Sequence, residues 1–506
     1  MADLKASLRK YWIPSLIIIL TIAARLYHLG FQSLWFDELY SMTIAAPTQD
    51  PSDIFIDIKT DFHPPLYYLI LNYIFKFIPY TDIAGRLLSA IAGCLSIWLV
   101  YMLGKEIRNK NTGMALALFF SVFFYHIKYS QEIRMYIFLF AFAIMTSLLF
   151  LKYLKEQKLI HLLLYVFISA ITIYTQYYGF FIMLAQGLCL LHLLLVRQIR
   201  IPVFRNFIFA YIGVFLLYLP WIPMLFQTGS RQHFIELPSI LYFFEYLYEY
   251  TGKEPVTTLF ILTGLGLYIK TAVRKLKESG LNQSPFQLLV AYSVFSIFVI
   301  TYIVSIFKPM LSKHSTLAGL PFLLVMVFTG YQSLKGKWMN PILFIVILAN
   351  ILNLLFISRY YTKDSKENFR QITEIVINDN AAEHNLLIIS QLSKFYNYYF
   401  EQKGSPFRAQ NPNVIQPSML SDTANIILVI NAPFTEEKSN QLESVNALGF
   451  QILNPRILNK TDSINEYCKI WNSYLKENYK IDTFYTHPKR NIPIAFKFIN
   501  NAARLH

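Results

Sequence analysis

Residues 30–69 read GFQSLWFDELYSMTIAAPTQDPSDIFIDIKTDFHPPLYYL, a loop with six carboxylates, a Trp and a His-Pro-Pro, set between long apolar segments. Ionised carboxylates are costly in hydrocarbon, so a loop of this kind, tethered at both ends by apolar chain, belongs at the boundary between water and lipid. Asp37 and Glu38 stand out within it. They are adjacent acids in an otherwise apolar SLWF-DE-LYS context, just beyond the first apolar run.

The rest of the chain agrees with that placement. Its 506 residues are 55% hydrophobic and 17% aromatic, outside the range of ordinary soluble domains. At about 1.5 Å rise per residue, some twenty apolar residues cross a hydrocarbon core of roughly 30 Å. Candidate spans are 12–29, 86–104, 112–128, 134–151, 159–176, 179–196, 206–226, 255–271, 286–306, 315–334 and 340–357. The fold class is therefore a polytopic α-helical membrane protein with about 11 transmembrane helices, 11 to 13 if some segments are merged pairs. MADLKASLRK precedes an apolar run with no A-x-A-like cleavage site, which reads as a retained first span. Cys94 and Cys189 lie in apolar runs and Cys468 stands alone, so no disulfide framework is expected. The net charge of +15 is concentrated at the ends of the spans, with no basic array interleaved with aromatics outside them, which excludes nucleic acid as a partner.

The short apolar segment Pro64–Pro79 decides the topology, because every later loop changes side if it crosses. Short cytoplasmic loops carry an excess of Lys and Arg. With Pro64–Pro79 lying on the outer face as a juxtamembrane helix started by its prolines, the basic clusters share the cytoplasmic side with the N-terminus. These are Lys5/Arg9/Lys10, Lys105/Arg108/Lys110, Lys152/Lys155/Lys158, Arg197/Arg200/Arg205, Lys270/Arg274/Lys275/Lys277 and Lys335/Lys337. The expected organisation is a transmembrane domain over 1–358, whose first outer loop, 30–85, carries the acidic motif. A soluble extracytoplasmic α/β domain over 359–506 follows. In that tail ENFRQITEIVIN and TEEKSNQLESVNALG have helical spacing, NLLIIS and ANIILVIN read as buried strands, and IPIAFKFI as a late strand. No Gly-rich phosphate loop and no internal repeat is evident.

This topology gathers polar residues on one side: Asp37, Glu38, Asp61, His63, Arg86, Lys128, Tyr129, Gln131, Glu132, Arg134, Gln176, Tyr177, Tyr178, Arg231, His233, Lys313 and His314. Charged groups at bilayer depth cost about 2.5–3.5 kcal/mol each on insertion scales and tend to face a cavity. The plainer alternatives are snorkelling of Arg and Lys to headgroups and an interfacial belt of Trp and Tyr. A carboxylate at the lipid boundary suits a general base for an attacking hydroxyl or amine. Arg134, Lys128, Arg86 and Lys313 suit a departing phosphate, whose developing charge requires cations rather than a second acid, with Arg best equipped for bidentate contact. The chemistry that fits is sugar transfer from a lipid phosphate, with the spans forming a groove for a polyprenyl tail among membrane lipid.

In order along the chain, RLYHLG-FQSLWFDELYS, DFHPPLYYLIL, GRLLSAIAGCLSIWLVYMLGKEI, YSQEIRMYIF and YTQYYGFFIMLAQ resemble bacterial members of glycosyltransferase family 39. That family lies in the GT-C superfamily, with protein O-mannosyltransferases and lipid A aminoarabinose transferases as relatives. The resemblance covers about residues 14–235, and PMLSKHSTLAGLPFLLVMV and KENFRQITEIV extend it weakly. It implies a GT-C fold in a bacterial plasma (inner) membrane, a polyprenyl-phosphate sugar donor and an inverting displacement on the extracytoplasmic face, with Asp37 as the base. Glu38 would orient the acceptor or help hold a metal. His63, where some relatives have Lys, and Lys313-His314, where relatives often read Arg-Tyr, would join Arg86, Lys128 and Arg134 at the donor phosphate. Asp61, Tyr129, Gln131, Glu132, Gln176, Tyr177 and Tyr178 are the candidates for contacts to the sugar or to a glycan, lipid or protein acceptor. The resemblance fixes no cofactor: part of the superfamily uses a divalent metal and part does not, and Glu38 and His63 are the candidate ligands for one here.

The competing reading is a flippase for a lipid-linked saccharide, or a non-catalytic scaffold that binds glycan. Alternating access calls for broken spans or polar residues at mid-membrane, whereas most spans here are apolar at their centres. Reconstitution in liposomes separates the two: the enzyme reading expects acceptor glycosylation, and lipid flipping without any glycosylation would favour transport.

Overall fold

The computed structural model describes residues 2–107, 109–229, 237–334, 339–366, 369–380, 386–390, 392–411, 425–429, 479–486 and 493–500. Arg108, Arg231, His233, Lys335, Lys337, Cys468 and the expected helix TEEKSNQLESVNALG lie outside them. The chain forms two compact units, Met1–Gln32 with Ile44–Asp364, and Ser33–Thr43 with Ser365–His506. The boundary thus falls six residues beyond the 358/359 expected from composition, and the first outer loop is divided between the units.

The first unit is helical. In chain order it contains α1 Ala2–Leu26, then (after α2 Phe36–Ile44, which belongs mainly to the second unit) α3 Pro51–Asp57, α4 Leu66–Phe75, α5 Asp82–Ile107, α6 Lys110–Val122 and α7 Phe124–Ser130. There follow α8 Tyr136–Glu156, α9 Leu159–Thr175, α10 Gly179–Leu195, α11 Ile201–Tyr218, α12 Ile222–Gly229, α13 Tyr242–Tyr250 and α14 Pro255–Ser279. α15 Pro285–Val294 runs through a π-helical stretch, Phe295–Ile300, into α16 Thr301–Phe307, and α17 Leu320–Gln332 and α18 Met339–Leu352 complete the set. Among the described residues seven helical stretches are long and apolar enough to cross a membrane, and 11–26, 66–75, 159–175 and 179–195 are shorter apolar helices. The protein is a polytopic α-helical membrane protein. At ten residues, α4 is about 15 Å long, half a hydrocarbon core.

Local chemistry sets the helix starts. Asn109 accepts from Thr112 N, Glu254 from Val256 N and Thr257 N ahead of Pro255, and Ser284 from Gln287 N ahead of Pro285. Glycine permits the closest helix approaches: a Cβ on Gly104 would stand 2.7 Å from Gly113 Cα, and one on Gly330 only 2.1 Å from Gly264 O. Leu95, Trp98, Phe209, Leu216 and Phe344 are exposed, forming the kind of surface that lipid covers.

The expected single span over 112–128 is two helices, because the backbone at Phe123 is extended (ψ 121°). Breaking a helix in apolar surroundings orphans carbonyls, and Arg25, fully buried at the end of α1, satisfies them. Its Nη1 donates to Ser121 O (3.0 Å) and Thr21 O (3.1 Å), and its Nη2 donates to Phe120 O (3.0 Å) and His126 Nδ1 (2.8 Å). The far nitrogen of His126 then pairs with Ser96 Oγ at 2.9 Å. In return Gln131 Nε2 donates to Arg25 O (3.0 Å) and Tyr27 O (3.1 Å), closing the end of α1. The 123–134 turn is locked by these crossed caps. Arg25→Met should destabilise the protein by on the order of 3 kcal/mol, the cost of leaving such buried acceptors unmet, readable as a lowered thermal midpoint in detergent.

The second unit is α/β. Its sheet runs β2–β1–β3–β5–β4, with β1 Leu386–Ile389, β2 Ala409–Gln410, β3 Asn425–Val429, β4 Tyr479–Thr486 and β5 Pro493–Asn500. β1 lies parallel to β2 and β3, and β5 antiparallel to β3 and β4, with Leu387 opposite Ile426 and Ile427 opposite Lys497. α19 Phe369–Asp379 and α20 Ser393–Gln402 pack against each other, Phe369 meeting Phe395 and Tyr396 at 5.8 and 5.4 Å between centroids.

Candidate active site

The acidic pair opens α2, within the second unit. Asp37 and Glu38 occupy its first turn, where carboxylates favour the exposed N–H groups and the positive end of the helix dipole. They are not equivalent. Asp37 is half-buried, whereas Glu38 is fully buried. The Glu38 carboxylate accepts from Trp35 N at 3.4 Å, one arm of a capping box, and pairs with Lys366 Nζ at 2.7 Å. α2 is seated on the tail through Phe36 against Phe395 (5.1 Å), Leu34 N donating to Tyr399 Oη (2.8 Å) and Arg370 N donating to Ser33 Oγ (3.3 Å). Lys366, Tyr399 and Phe395 supply this support and escaped the sequence reading. Nothing in KENFRQITEIV distinguishes a lysine that crosses to position 38 from a solvated one.

The first unit assembles a second cluster. A 3-10 turn, Ile58–Thr60, delivers Asp61 in extended geometry (ψ 163°), and Asp61 Oδ1 accepts from Phe62 N while its Oδ2 accepts from Tyr68 Oη at 2.5 Å. His63 Nδ1 lies 3.7 Å from Asp61 Oδ1. On its other side Arg134 Nη2 donates to His63 Nε2 at 2.8 Å, and Tyr136 Oη is 3.4 Å away. Arg134 Nη1 also reaches Tyr68 Oη at 3.4 Å, and its guanidinium stands 5.6 Å from the Tyr136 ring centre. His314 packs on Tyr129 and Tyr136 at 5.6 and 5.3 Å between centroids, and Lys128 Nζ is 5.5 Å from the Tyr129 ring centre. Burial, followed by Lys128, Lys313, Arg134 and His63, pushes the His314 pKa well below the ordinary imidazole range. His314 is therefore neutral near pH 7 and offers an N–H rather than a charge.

Other expected site residues have structural partners. Arg86 donates to Leu29 O (3.0 Å) and Gln32 O (2.8 Å) beyond the end of α1. Gln131 caps α1, as described above. Gln176 Nε2 donates to Ser315 Oγ (2.8 Å), Tyr178 Oη to Met310 O (3.1 Å), and Trp221 Nε1 to Tyr177 Oη (3.2 Å), so these three anchor the segments that follow spans. Lys313 lies 3.8 Å from Glu249 on α13. Glu132 is buried one turn residue from Arg134, whose N–H it receives on its backbone oxygen at 2.8 Å. Tyr68, which ties Asp61 to Arg134, was missed because it reads as one more aromatic in an interfacial helix.

A divalent metal fits these donors poorly. The Glu38 carboxylate is turned to an ammonium and His63 Nε2 to a guanidinium, and both cations oppose a metal at the same atoms. Among the described residues no group of three His, Cys, Asp or Glu is placed to hold one.

The whole fold has solved counterparts. ArnT from Cupriavidus metallidurans in the apo state superposes with a TM-score of 0.60 over 99% of both chains, at 10% sequence identity. The chain has the GT-C fold. The same ArnT bound to undecaprenyl phosphate matches at TM-score 0.53 and 10% identity, over 96% of this chain and 97% of that one. The Archaeoglobus fulgidus oligosaccharyltransferase tethered with an acceptor peptide matches at TM-score 0.55 and 10% identity, over 98% and 75%. The family model for dolichyl-phosphate-mannose-protein mannosyltransferase matches residues 62–226 of this chain, from the His63 segment to the end of α11 and just beyond. Comparison with curated proteins finds no match.

The Glu38–Lys366 pair makes a direct prediction. Lys366→Met leaves a buried carboxylate uncompensated and should cost about 3–5 kcal/mol, while adding Glu38→Met should recover most of it, since an apolar pair is often as stable as a buried ionic one. Thermal unfolding of the purified variants measures both.

Proposed function

We propose that this protein is a glycosyltransferase of the bacterial plasma membrane. It moves a sugar from a polyprenyl-phosphate donor to a glycan, lipid or protein acceptor on the extracytoplasmic face, with inversion. The observation that carries the reading is the Arg134–His63–Tyr136–His314 cluster in a GT-C fold: a buried guanidinium ringed by hydrogen-bonding aromatics, joining the DFHPP and QEIR segments. Its lipid-phosphate donor is the ligand class seen with ArnT, in the structure bound to undecaprenyl phosphate.

In the proposed reaction Asp37 accepts the proton of the acceptor hydroxyl or amine as that atom attacks the anomeric carbon. The bond from that carbon to the phosphate oxygen breaks and its electron pair stays on the oxygen. The phosphodiester monoanion becomes a monoester with one further negative charge. Arg134 meets that charge with two N–H donors, Lys128 adds a nearby cation, and the neutral His314 adds a hydrogen bond. Glu38, held by Lys366, keeps α2 in register so that Asp37 is presented from the first turn.

The test is purified protein with radiolabelled polyprenyl-phosphate sugars, following which donor is consumed and where the label goes. Asp37→Asn should abolish transfer while expression and membrane insertion persist, and unchanged transfer would remove Asp37 as the base. Arg134→Lys, which keeps the charge and loses the planar fork, should lower turnover about 100-fold or more.

A further inference from the structure

The Arg134–His63 hydrogen bond fixes a protonation state. A guanidinium carries donors only, so at 2.8 Å from Arg134 Nη2 the His63 Nε2 must be the acceptor. The imidazole proton then sits on Nδ1, towards Asp61 Oδ1 at 3.7 Å. A second proton on Nε2 would set N–H against N–H and a cation against a cation. In this arrangement His63 is neutral.

The groups around the ring make that state conditional. Asp61, on its own segment, favours the imidazolium, and Tyr68 on α4 holds the Asp61 carboxylate. Arg134 opposes it, and Lys128 and Lys313, around the neutral His314, add to the local positive charge. Tyr136 Oη, at 3.4 Å, can serve either form of the ring.

Resting on the phosphate-site reading above, we infer that His63 is a proton-linked anion contact. A phosphate that takes the Arg134 N–H groups draws the guanidinium off Nε2, and His63 takes one proton from solvent onto that nitrogen. The anion then faces an imidazolium as well as a guanidinium, with the Asp61 carboxylate behind Nδ1–H. The sign follows from linkage. The pKa of His63 is higher with the anion bound than without it, so binding strengthens as pH falls from the bound-state pKa towards the free one, by up to about tenfold per pH unit. A lysine at this position would be charged in both states and would give a flat profile.

The experiment uses full-length protein in detergent and farnesyl methyl phosphate. This diester lacks the second phosphate proton that titrates near pH 6 in monoesters. Calorimetric titration near neutral pH, in two buffers of different ionisation enthalpy, counts the protons taken up per probe bound. Wild type should take up a large fraction of one proton and bind more tightly at lower pH. His63→Gln should bind more weakly and lose that uptake, and His63→Lys should bind with no pH slope of this origin. Equal uptake in wild type and His63→Gln, or binding by wild type with no uptake, overturns the inference and leaves the phosphate site standing. Failure of wild type to bind the probe overturns the phosphate-site reading and the inference with it.

Discussion

A guanidinium in apolar surroundings must find acceptors, and a helix that ends there must find donors. Arg25 and Arg86 solve both problems at once. Each is buried, and each donates to backbone carbonyls: Thr21 near the end of α1 and Phe120 and Ser121 at the end of α6 for Arg25, Leu29 and Gln32 in the turn that follows α1 for Arg86. The result is a fixed junction between the end of α1, the α6–α7 break and the turn that follows α1. From that junction α7 and its following turn carry Lys128, Tyr129 and Arg134. A cluster of charges in a bundle of apolar helices depends on scaffolding of this kind, since flexible loops would let each side chain escape to water.

The second unit contributes more than a solvated appendage would. Residues 33–43 belong to it, and α2 is seated on Tyr399, Phe395 and Lys366. An Asp-Glu pair on one short helix would ordinarily suffer like-charge repulsion. Here Glu38 is neutralised from the tail and capped at the helix start, which leaves Asp37 as the half-buried member. The division of labour between two neighbouring acids is made by one lysine more than three hundred residues away in the chain.

His63 and His126 show the same chemistry put to two uses. Both accept from an arginine at 2.8 Å, which sets the tautomer. The second nitrogen of His126 meets the Ser96 hydroxyl inside a closed network, and that histidine is architectural. The second nitrogen of His63 faces a carboxylate at the edge of a cationic cluster, so the ring can change charge. Burial depth and the partner of the far nitrogen separate a structural histidine from one available for chemistry.

The sequence by itself determined the helical membrane class, because twenty-residue apolar periods have few other solutions, and it placed some segment ends closely, 159–176 against α9 Leu159–Thr175 and 340–357 against a helix that begins at Met339, while 255–271 stops eight residues short of the end of α14 Pro255–Ser279. It also located DFHPP and QEIR as polar islands that lipid would not tolerate without a purpose. Only the tertiary structure decided which of those polar residues meet. Arg134 with His63, Lys366 with Glu38 and Arg25 with the broken end of α6 are pairings across tens to hundreds of residues, and one-dimensional hydrophobicity carries no record of them. It likewise decided that Arg86 and Gln131 spend their donors on backbone carbonyls, because the need for a cap arises from where a helix ends in space.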